Sequence, residues 1–342
     1  MTDSKARAAR IAVDAMGGDH APEEIVAGAL LAAAEAGVAI TLVGDETRVR
    51  PLLTGPSAGC VAVVHAPEAV PMDQHASAAL RSADRTSLGV AINLVKQDEA
   101  DAVVSAGNSG AFLAIALIRL RTIEGISRPA IATVWPALNG PTVLLDSGAN
   151  VDCRPEWLEQ FGIMGSAYAK AVLDIANPRV AVLSVGEERT KGNQQALEAA
   201  KLLEAAPVNF IGNVEGRDLF NNVADVIVAD GFVGNVVLKT GEGMIAGLGR
   251  LMRDTLLGGG LLTKLGTMML APALRGLRRR YDWENLGGAP LLGLRGNCIV
   301  THGRTSRNGI KHAILAAARE VDHDVVGKIT ELIVPHVAAK EA

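Results

Sequence analysis

"RIAVDAMGGDHAPEE", residues 10–24, sets the reading of the fold. Ile11, Ala12 and Val13 run into Asp14, and a glycine pair, Gly17-Gly18, follows. Asp19-His20 and then Pro22-Glu23-Glu24 complete the stretch. The apolar run reads as a short buried strand over 11–15, and the glycines read as a turn. Pro22 suits a first helical position, and the two glutamates complement the positive end of the helix that they open. The stretch is therefore one strand–loop–helix unit.

The same unit recurs down the chain. Strands are expected at 39–44, 61–66, 101–106, 130–135, 142–147, 179–186, 209–212 and 226–230, and helices at 22–36, 86–98, 110–121, 155–176, 193–205 and 232–252. This alternation predicts an α/β fold with a mostly parallel sheet and helices on both faces. No fixed-period repeat and no linker interrupts it before residue 250. The expectation is one α/β domain over 1–342 with an elaboration at 250–290.

Composition agrees. Of 342 residues 49% are apolar and only 3% aromatic, so small side chains must pack the helices on the sheet. A net charge of -4 gives no global reason to expect nucleic acid. No signal peptide and no spanning helix is expected. Cys60, Cys153 and Cys298 stand alone, without zinc spacing, and read as packing residues of a reduced cytoplasm.

In parallel sheets ligands sit beyond the carboxyl ends of the strands. Five such ends are polar and glycine-rich: "DAMGGDH" (14–20), "SAGNSGA" (105–111), "DSGANVD" (146–152), "GEERTKGN" (186–193) and "ADGFVGN" (229–235). Each alone is an ordinary turn; together they predict a shared site. Gly17 and Gly18 do not make a dinucleotide fingerprint, and Glu23 and Glu24 would repel a phosphate there. Asp14, Asp19 and His20 can be read as metal ligands, a turn, or the polar wall of a substrate site. No further His or Cys lies at ligand spacing, so no metal is expected. "SAGNSGA" opens a helix without an acid in its first turn. Free N–H groups where Gly107, Asn108, Ser109 and Gly110 lead into the helix, with the side chains of Ser105, Asn108 and Ser109, form the best candidate for a phosphate cradle. The competing reading is a plain Asn/Ser cap. Lys191 is either part of a solvated charge cluster or a point charge for a phosphate or carbonyl. Asp230 and Asn235 either support a helix start or offer an amide to a developing oxyanion. No nucleophile elbow, HExxH or P-loop is present.

Residues 250–281, "RLMRDTLLGGGLLTKLGTMMLAPALRGLRRRY", are dense in Leu and Met. Leu261, Leu262, Leu265, Met268 and Met269 are followed by Arg275, Arg278, Arg279 and Arg280. Glycines 258–260 and Pro272 are expected to break the segment into short pieces. It reads as a dimer or core helix pair, as an element lying in a membrane surface, or as a basic patch for an acidic partner.

These motifs, with "EGRDLF" (215–220), "GGAPLLGLRG" (287–296) and "HGRTSRNGIKHAI" (302–314), occur in order over nearly the whole chain. In them the sequence resembles the PlsX family, the bacterial acyl-acyl-carrier-protein:phosphate acyltransferases of phospholipid synthesis. The resemblance implies a three-layer αβα fold like isocitrate/isopropylmalate dehydrogenase and phosphotransacetylase. It also implies a homodimer and no cofactor. Acyl carrier protein and inorganic phosphate would be the reaction partners, at the inner face of the cytoplasmic membrane. The product would pass to a membrane glycerol-3-phosphate acyltransferase. By the same resemblance Lys191 and Asn235 are catalytic. From the loop chemistry, Asp14, Gly17, Gly18, Asp19, His20, Ser105, Gly107, Asn108, Ser109, Gly110, Asp146, Asn150 and Asp230 are expected to bind phosphate or substrate. Arg295 departs from a usual asparagine, and Ser109 from a common threonine whose hydroxyl it keeps. Three rivals compete: a phosphotransacetylase using a coenzyme A thioester, a metal- and NAD-dependent dehydrogenase, and a membrane scaffold that binds the carrier without catalysis.

Overall fold

The protein is described here by a computed structural model covering residues 7–280, 284 and 287–341. Eleven strands form one sheet: β1 (Arg10–Asp14), β2 (Ala39–Gly44), β3 (Val61–His65), β4 (Ala102–Ser105), β5 (Ala130–Ala137), β6 (Gly140–Leu145), β7 (Arg179–Leu183), β8 (Asn209–Val214), β9 (Val226–Val228), β10 (Ala289–Leu292) and β11 (Asn297–Val300). The helices are α1 (Glu23–Ala36), α2 (Glu46–Val49), α3 (Ala76–Ser82), α4 (Ser87–Lys96), α5 (Ser109–Leu120), α6 (Pro155–Val172), α7 (Gln194–Glu204), α8 (Gly231–Gly258), α9 (Leu261–Arg280), α10 (Arg307–Asp322) and α11 (Val325–Glu341). Every strand expected from the alternation is present; β10 and β11 come in addition.

The strand order is β3-β2-β1-β4-β11-β10-β5-β6-β9-β7-β8. Most neighbours are parallel, but β10 is antiparallel to both β11 and β5, and β5 is antiparallel to β6. Three successive reversals leave β6, β9, β7 and β8 running opposite to β1, β2, β3, β4 and β11. The source is a tight hairpin. Ala137 pairs with Gly140 across Leu138-Asn139, and Gly140 takes a positive φ. The expectation of five loops on one carboxyl edge is thereby corrected. The loops after β1 and β4 leave one edge of the sheet, and those after β6, β7 and β9 leave the other.

Alternating side chains build three layers. In β1, Ile11 and Val13 enter the core under α1 and α10, while Ala12 enters the core of α4 and α5. In the other half, Val143, Leu145, Val180, Val182, Val226 and Val228 meet α6, α7 and α11. Leu144, Ala181 and Ile227 face α8 on the opposite side.

One helix start differs from expectation. Pro22 caps α1 instead of entering it, and Glu24 reaches across to accept from the Arg307 N–H at the start of α10. The segment 250–281 is not broken into short pieces. Glycines 258–260 separate two long helices, and Pro272 lies inside α9. On them Met244, Leu248, Leu251, Leu265, Met268 and Met269 are exposed, Met269 at 84%. Arg275 is exposed and donates to the Ala271 carbonyl. The side chains of Leu261, Leu262, Arg278, Arg279 and Arg280 lie outside the described residues. Among the described residues no helix is long and apolar enough to cross a membrane.

Candidate active site

The first group of loops closes around Asp14, at the carboxyl end of β1. Its carboxylate is buried and accepts from the Ser105 hydroxyl at 2.7 Å and the Met16 N–H at 3.2 Å. Burial pushes its pKa up, against the pull of Ser87, Ser105 and the N–H groups of Met16 and Gly17. The Ser105 oxygen in turn accepts from the Gly107 N–H at 2.9 Å. Gly17 lets the two loops touch, since a β-carbon there would run into the Asp14 carboxylate and stand 2.9 Å from the Gly107 nitrogen. Gly18 lies against Ala106 and Gly303, and the Asp19 N–H donates to the Gly303 carbonyl at 2.7 Å. Asp19 and His20 are exposed.

Asn108 is the N-cap of α5. Its Oδ1 accepts from Ala111 N at 3.0 Å, and its Nδ2 donates to the carbonyls of Pro71, Met72 and Gln74. The side chain is thus committed to the cap and to holding the 71–74 loop. Ser109 and Gly110 are exposed, and no acid lies in the first turn of α5. Their N–H groups belong to the helix end that has no intrahelical acceptor.

The second group closes around Asp146, at the carboxyl end of β6. Its buried Oδ1 accepts from the N–H groups of Ile131, Gly148 and Ala149 at 3.0–3.1 Å. Its Oδ2 accepts from Asn150 N at 2.7 Å and Asn150 Nδ2 at 2.9 Å. Burial pushes the pKa of Asp146 up, and these donors pull against it. Asp230 caps α8, accepting from Val233 N at 2.7 Å. The Gly231 N–H donates to the Asn150 carbonyl. Gly234 allows α8 to lie on this loop, because any β-carbon there would collide with the Asp146 carbonyl. Asn235 is exposed, faces Gly148, and makes no side-chain hydrogen bond among the described residues.

Lys191 lies on the loop after β7. Its N–H donates to the Glu188 carbonyl, and its own carbonyl accepts from the Ser184 hydroxyl and Asn213 Nδ2. Glu187 is paired with Arg217, and Arg189 with Glu204. The Lys191 ammonium is exposed and forms no ion pair among the described residues. Beyond this loop, Gln195 donates to the Cys153 carbonyl, and the Cys153 thiol donates to the Asn150 carbonyl. The Lys191 loop is so tied to the Asp146 loop. Burial pushes the Cys153 thiol up to about 12, which leaves it protonated and unsuited to attack.

Contacts among the described residues join the groups across the sheet. Ala149 packs on the cluster that contains Ala111 and Phe112 of α5. His302, after β11, places Nε2 3.4 Å from Oε1 of Glu242 on α8. The sequence reading singled out neither Glu242 nor His302. They are 60 positions apart, and no local pattern pairs them. Among the described residues no three His, Cys, Asp or Glu side chains are grouped to hold a metal ion.

An α/β sheet of two opposed halves, with polar loops on both, places the chain in a class that solved structures share. A phosphotransacetylase from Streptococcus pyogenes superposes with a TM-score of 0.65 at 18% identity, covering 92% of this chain and 94% of that one. A 4-hydroxythreonine-4-phosphate dehydrogenase from Klebsiella pneumoniae gives 0.53 at 14% identity, covering 91% and 98%. These likenesses concern the fold.

The chain belongs to the fatty acid synthesis protein family, whose model matches residues 9–328, and within it to the phosphate acyltransferases. It is 50% identical over 325 residues to the phosphate acyltransferase of Pelotomaculum thermopropionicum, covering 95% of both chains. It is likewise 50% identical over 327 residues to that of Heliobacterium modesticaldum, covering 95% of this chain and 97% of the relative. The family expected from the motifs is borne out.

Proposed function

We propose that this chain is an enzyme that moves a fatty acyl group from an acyl-carrier-protein thioester to inorganic phosphate. The product is an acyl phosphate for glycerol-3-phosphate acylation in phospholipid synthesis. The observation that carries the reading is the open amino end of α5. Ser109 and Gly110 are exposed, and their helix-end N–H groups, with no acid in the first turn, suit a phosphate. Membership of the phosphate acyltransferases supports it.

The chemistry asks little of a nucleophilic side chain. Phosphate brings its own anionic oxygen, and a thiol of pKa about 8.5 is a fair leaving group. The protein has to hold the reactants and stabilise the oxyanion. In this reading Ser109 and Gly110 cradle phosphate, with Ser105, Gly107 and Asn108 shaping the loop because the Gly107 N–H is taken by the Ser105 hydroxyl, and Lys191 adds a positive charge. The Asn235 amide donates to the tetrahedral oxyanion. Asp14, Gly17, Gly18, Asp19 and His20 form one wall, and Asp146, Asn150 and Asp230 build the loop against Asn235. Phe232 and Val236, exposed beside Asn235, are apolar neighbours suited to the acyl tail. The displacement is redox-neutral, and no cofactor enters the proposal.

The opposed halves of the sheet support placing the fold with the isocitrate/isopropylmalate dehydrogenase group, with 1–342 acting as one catalytic unit. The exposed apolar side chains of α8 and α9 support a 250–290 elaboration that makes a homodimer contact, an inner-membrane contact, or both. Acyl carrier protein is the proposed donor, and a membrane glycerol-3-phosphate acyltransferase the proposed consumer. A cytoplasmic enzyme held peripherally on the membrane fits these roles. Met268→Glu with Met269→Glu is expected to release the protein from anionic vesicles in flotation while the dimer persists. Unchanged flotation of an intact dimer removes the lipid contact from the proposal.

The function is tested by mixing the protein with palmitoyl-carrier protein and phosphate and trapping the product with hydroxylamine. Palmitoyl-coenzyme A is run in parallel. Phosphate-dependent hydroxamate from the carrier substrate is the expected result. Product from coenzyme A alone replaces the donor, and product from neither overturns the reading.

A further inference from the structure

Arg128 and Arg154 share one tryptophan. The Arg128 guanidinium carbon lies 5.2 Å from the centre of the Trp157 ring, and that of Arg154 lies 5.9 Å from it. Both are within cation–π reach. The ring belongs to the first turn of α6, is half-buried, and packs against the core under that helix. Both arginines are exposed, and neither guanidinium forms a hydrogen bond or an ion pair among the described residues. Asp152 and Glu156, the acids beside Arg154, are exposed and pair with neither. A guanidinium that stacks on a ring keeps its N–H groups for a phosphate or carboxylate.

Arg154 also holds a place that suits it poorly. It is the N-cap of α6 and makes no side-chain cap bond. A short polar side chain would cap the helix, and a cation there opposes the positive helix end. Such breaks of a local rule are expected at functional sites. The pair is tied to the loop that faces Asn235. Asn150 Nδ2 donates to the carbonyl of Pro129, next to Arg128, at 2.8 Å. The thiol of Cys153, next to Arg154, donates to the Asn150 carbonyl at 3.4 Å. Gly148, which faces Asn235, precedes Arg154 by six residues, at most roughly 20 Å of extended chain.

We infer that Arg128 and Arg154 bind the phosphate of the pantetheine arm that carries the acyl group. This rests on the proposed acyl transfer to inorganic phosphate. A pantetheine arm is uncharged between its thioester and its phosphate ester. That ester is a phosphodiester on a carrier protein and a pyrophosphate in coenzyme A. With the thioester carbonyl at Asn235, an extended arm reaches the arginines. Two guanidinium groups already held on one ring offer charge-assisted hydrogen bonds to the phosphate oxygens and lose little freedom in forming them. The attacking phosphate binds at α5 in the first group of loops and the arm phosphate in the second, so the two do not compete.

The test uses the full-length protein and two unreactive thioethers of one acyl chain, one on phosphopantetheine and one on pantetheine. Each is run as an inhibitor of turnover with the donor that the protein accepts. In the unaltered protein the phosphopantetheine analogue should have a Ki about tenfold lower than the pantetheine analogue. Arg128→Gln with Arg154→Gln should erase that difference by raising the first Ki, while the pantetheine Ki holds. KM measured with the carrier and coenzyme A thioesters in the same variant tells the two sources of the phosphate apart, since it should rise about tenfold for the one that uses the site. If the double variant does not fold by circular dichroism, Arg128→Gln decides by the same comparison. Equal Ki for the two analogues in the unaltered protein, or an undiminished preference in the variant, overturns the inference alone. A higher KM for the carrier thioester with the analogue preference intact assigns the arginines to the carrier's surface and likewise overturns it. Absence of acyl phosphate from the unaltered protein with either thioester overturns the transfer reading and this inference with it.

Discussion

Lys191→Ala is expected to lower kcat for acyl phosphate formation by about a thousandfold while leaving the melting temperature unchanged. The loop separates the two effects. Its shape is held through the Lys191 backbone, by Ser184, Asn213 and the Glu188 carbonyl, and alanine keeps all of these bonds. The neighbouring charges are satisfied by Arg217 and Glu204. The ammonium is the part that alanine removes, and it has no pairing role among the described residues. Lys191→Arg should recover only part of the rate, since a planar fork does not replace a compact point charge. Near-normal turnover in a folded Lys191→Ala protein would take the residue out of the mechanism.

Asp146→Ala should act in the opposite sense, on stability first. Five N–H donors converge on that buried carboxylate. Truncation strands them where the hairpin, the Gly148 turn and the start of α8 meet. Unpaired buried donors cost about 1–3 kcal/mol each. Partial relaxation leaves a loss on the order of 4 kcal/mol, or roughly 10 °C in melting temperature for a chain of this size. Asp146→Asn should recover part of the loss, because its Oδ1 keeps the Ile131, Gly148 and Ala149 bonds while its NH₂ faces the two Asn150 donors. A drop of about 2 °C or less in thermal unfolding would show that the loop holds itself without the carboxylate.

The strands could be located in the sequence because each is a short apolar run ended by glycine or a polar turn. Their direction was hidden. A parallel sheet and one with an internal reversal share the same rhythm of runs, and only the link between β5 and β6 separates them. That link carried a partial signal: Asn139-Gly140 between two β-rich runs marks a turn, although the loop itself is Leu138-Asn139 and Gly140 opens β6. β10 and β11 escaped because four-residue runs in a glycine-rich stretch have too little pattern to register. The candidate site divided in a similar way. Glycines, caps and exposed polar ends were legible as local chemistry. What Asn108 holds, and what Glu242 faces, depends on chain segments 34 and 60 residues away. Helical periodicity in 250–281 was visible, but the cost assigned to Pro272 and the glycines was too high. Only the glycines at 258–260 interrupt the helices.

α8 begins one residue after Asp230 and runs 28 residues without a break. At 1.5 Å per residue, Asn235 and Gly258 are roughly 35 Å apart on one rod. Tilt the outer end and the inner end must swing as well. Whatever grips the far tip, a sister subunit or a lipid headgroup, thereby gains leverage on the aim of the Asn235 amide. Anchorage and turnover would then vary together, even in variants whose every loop around Asp14 and Asp146 is intact.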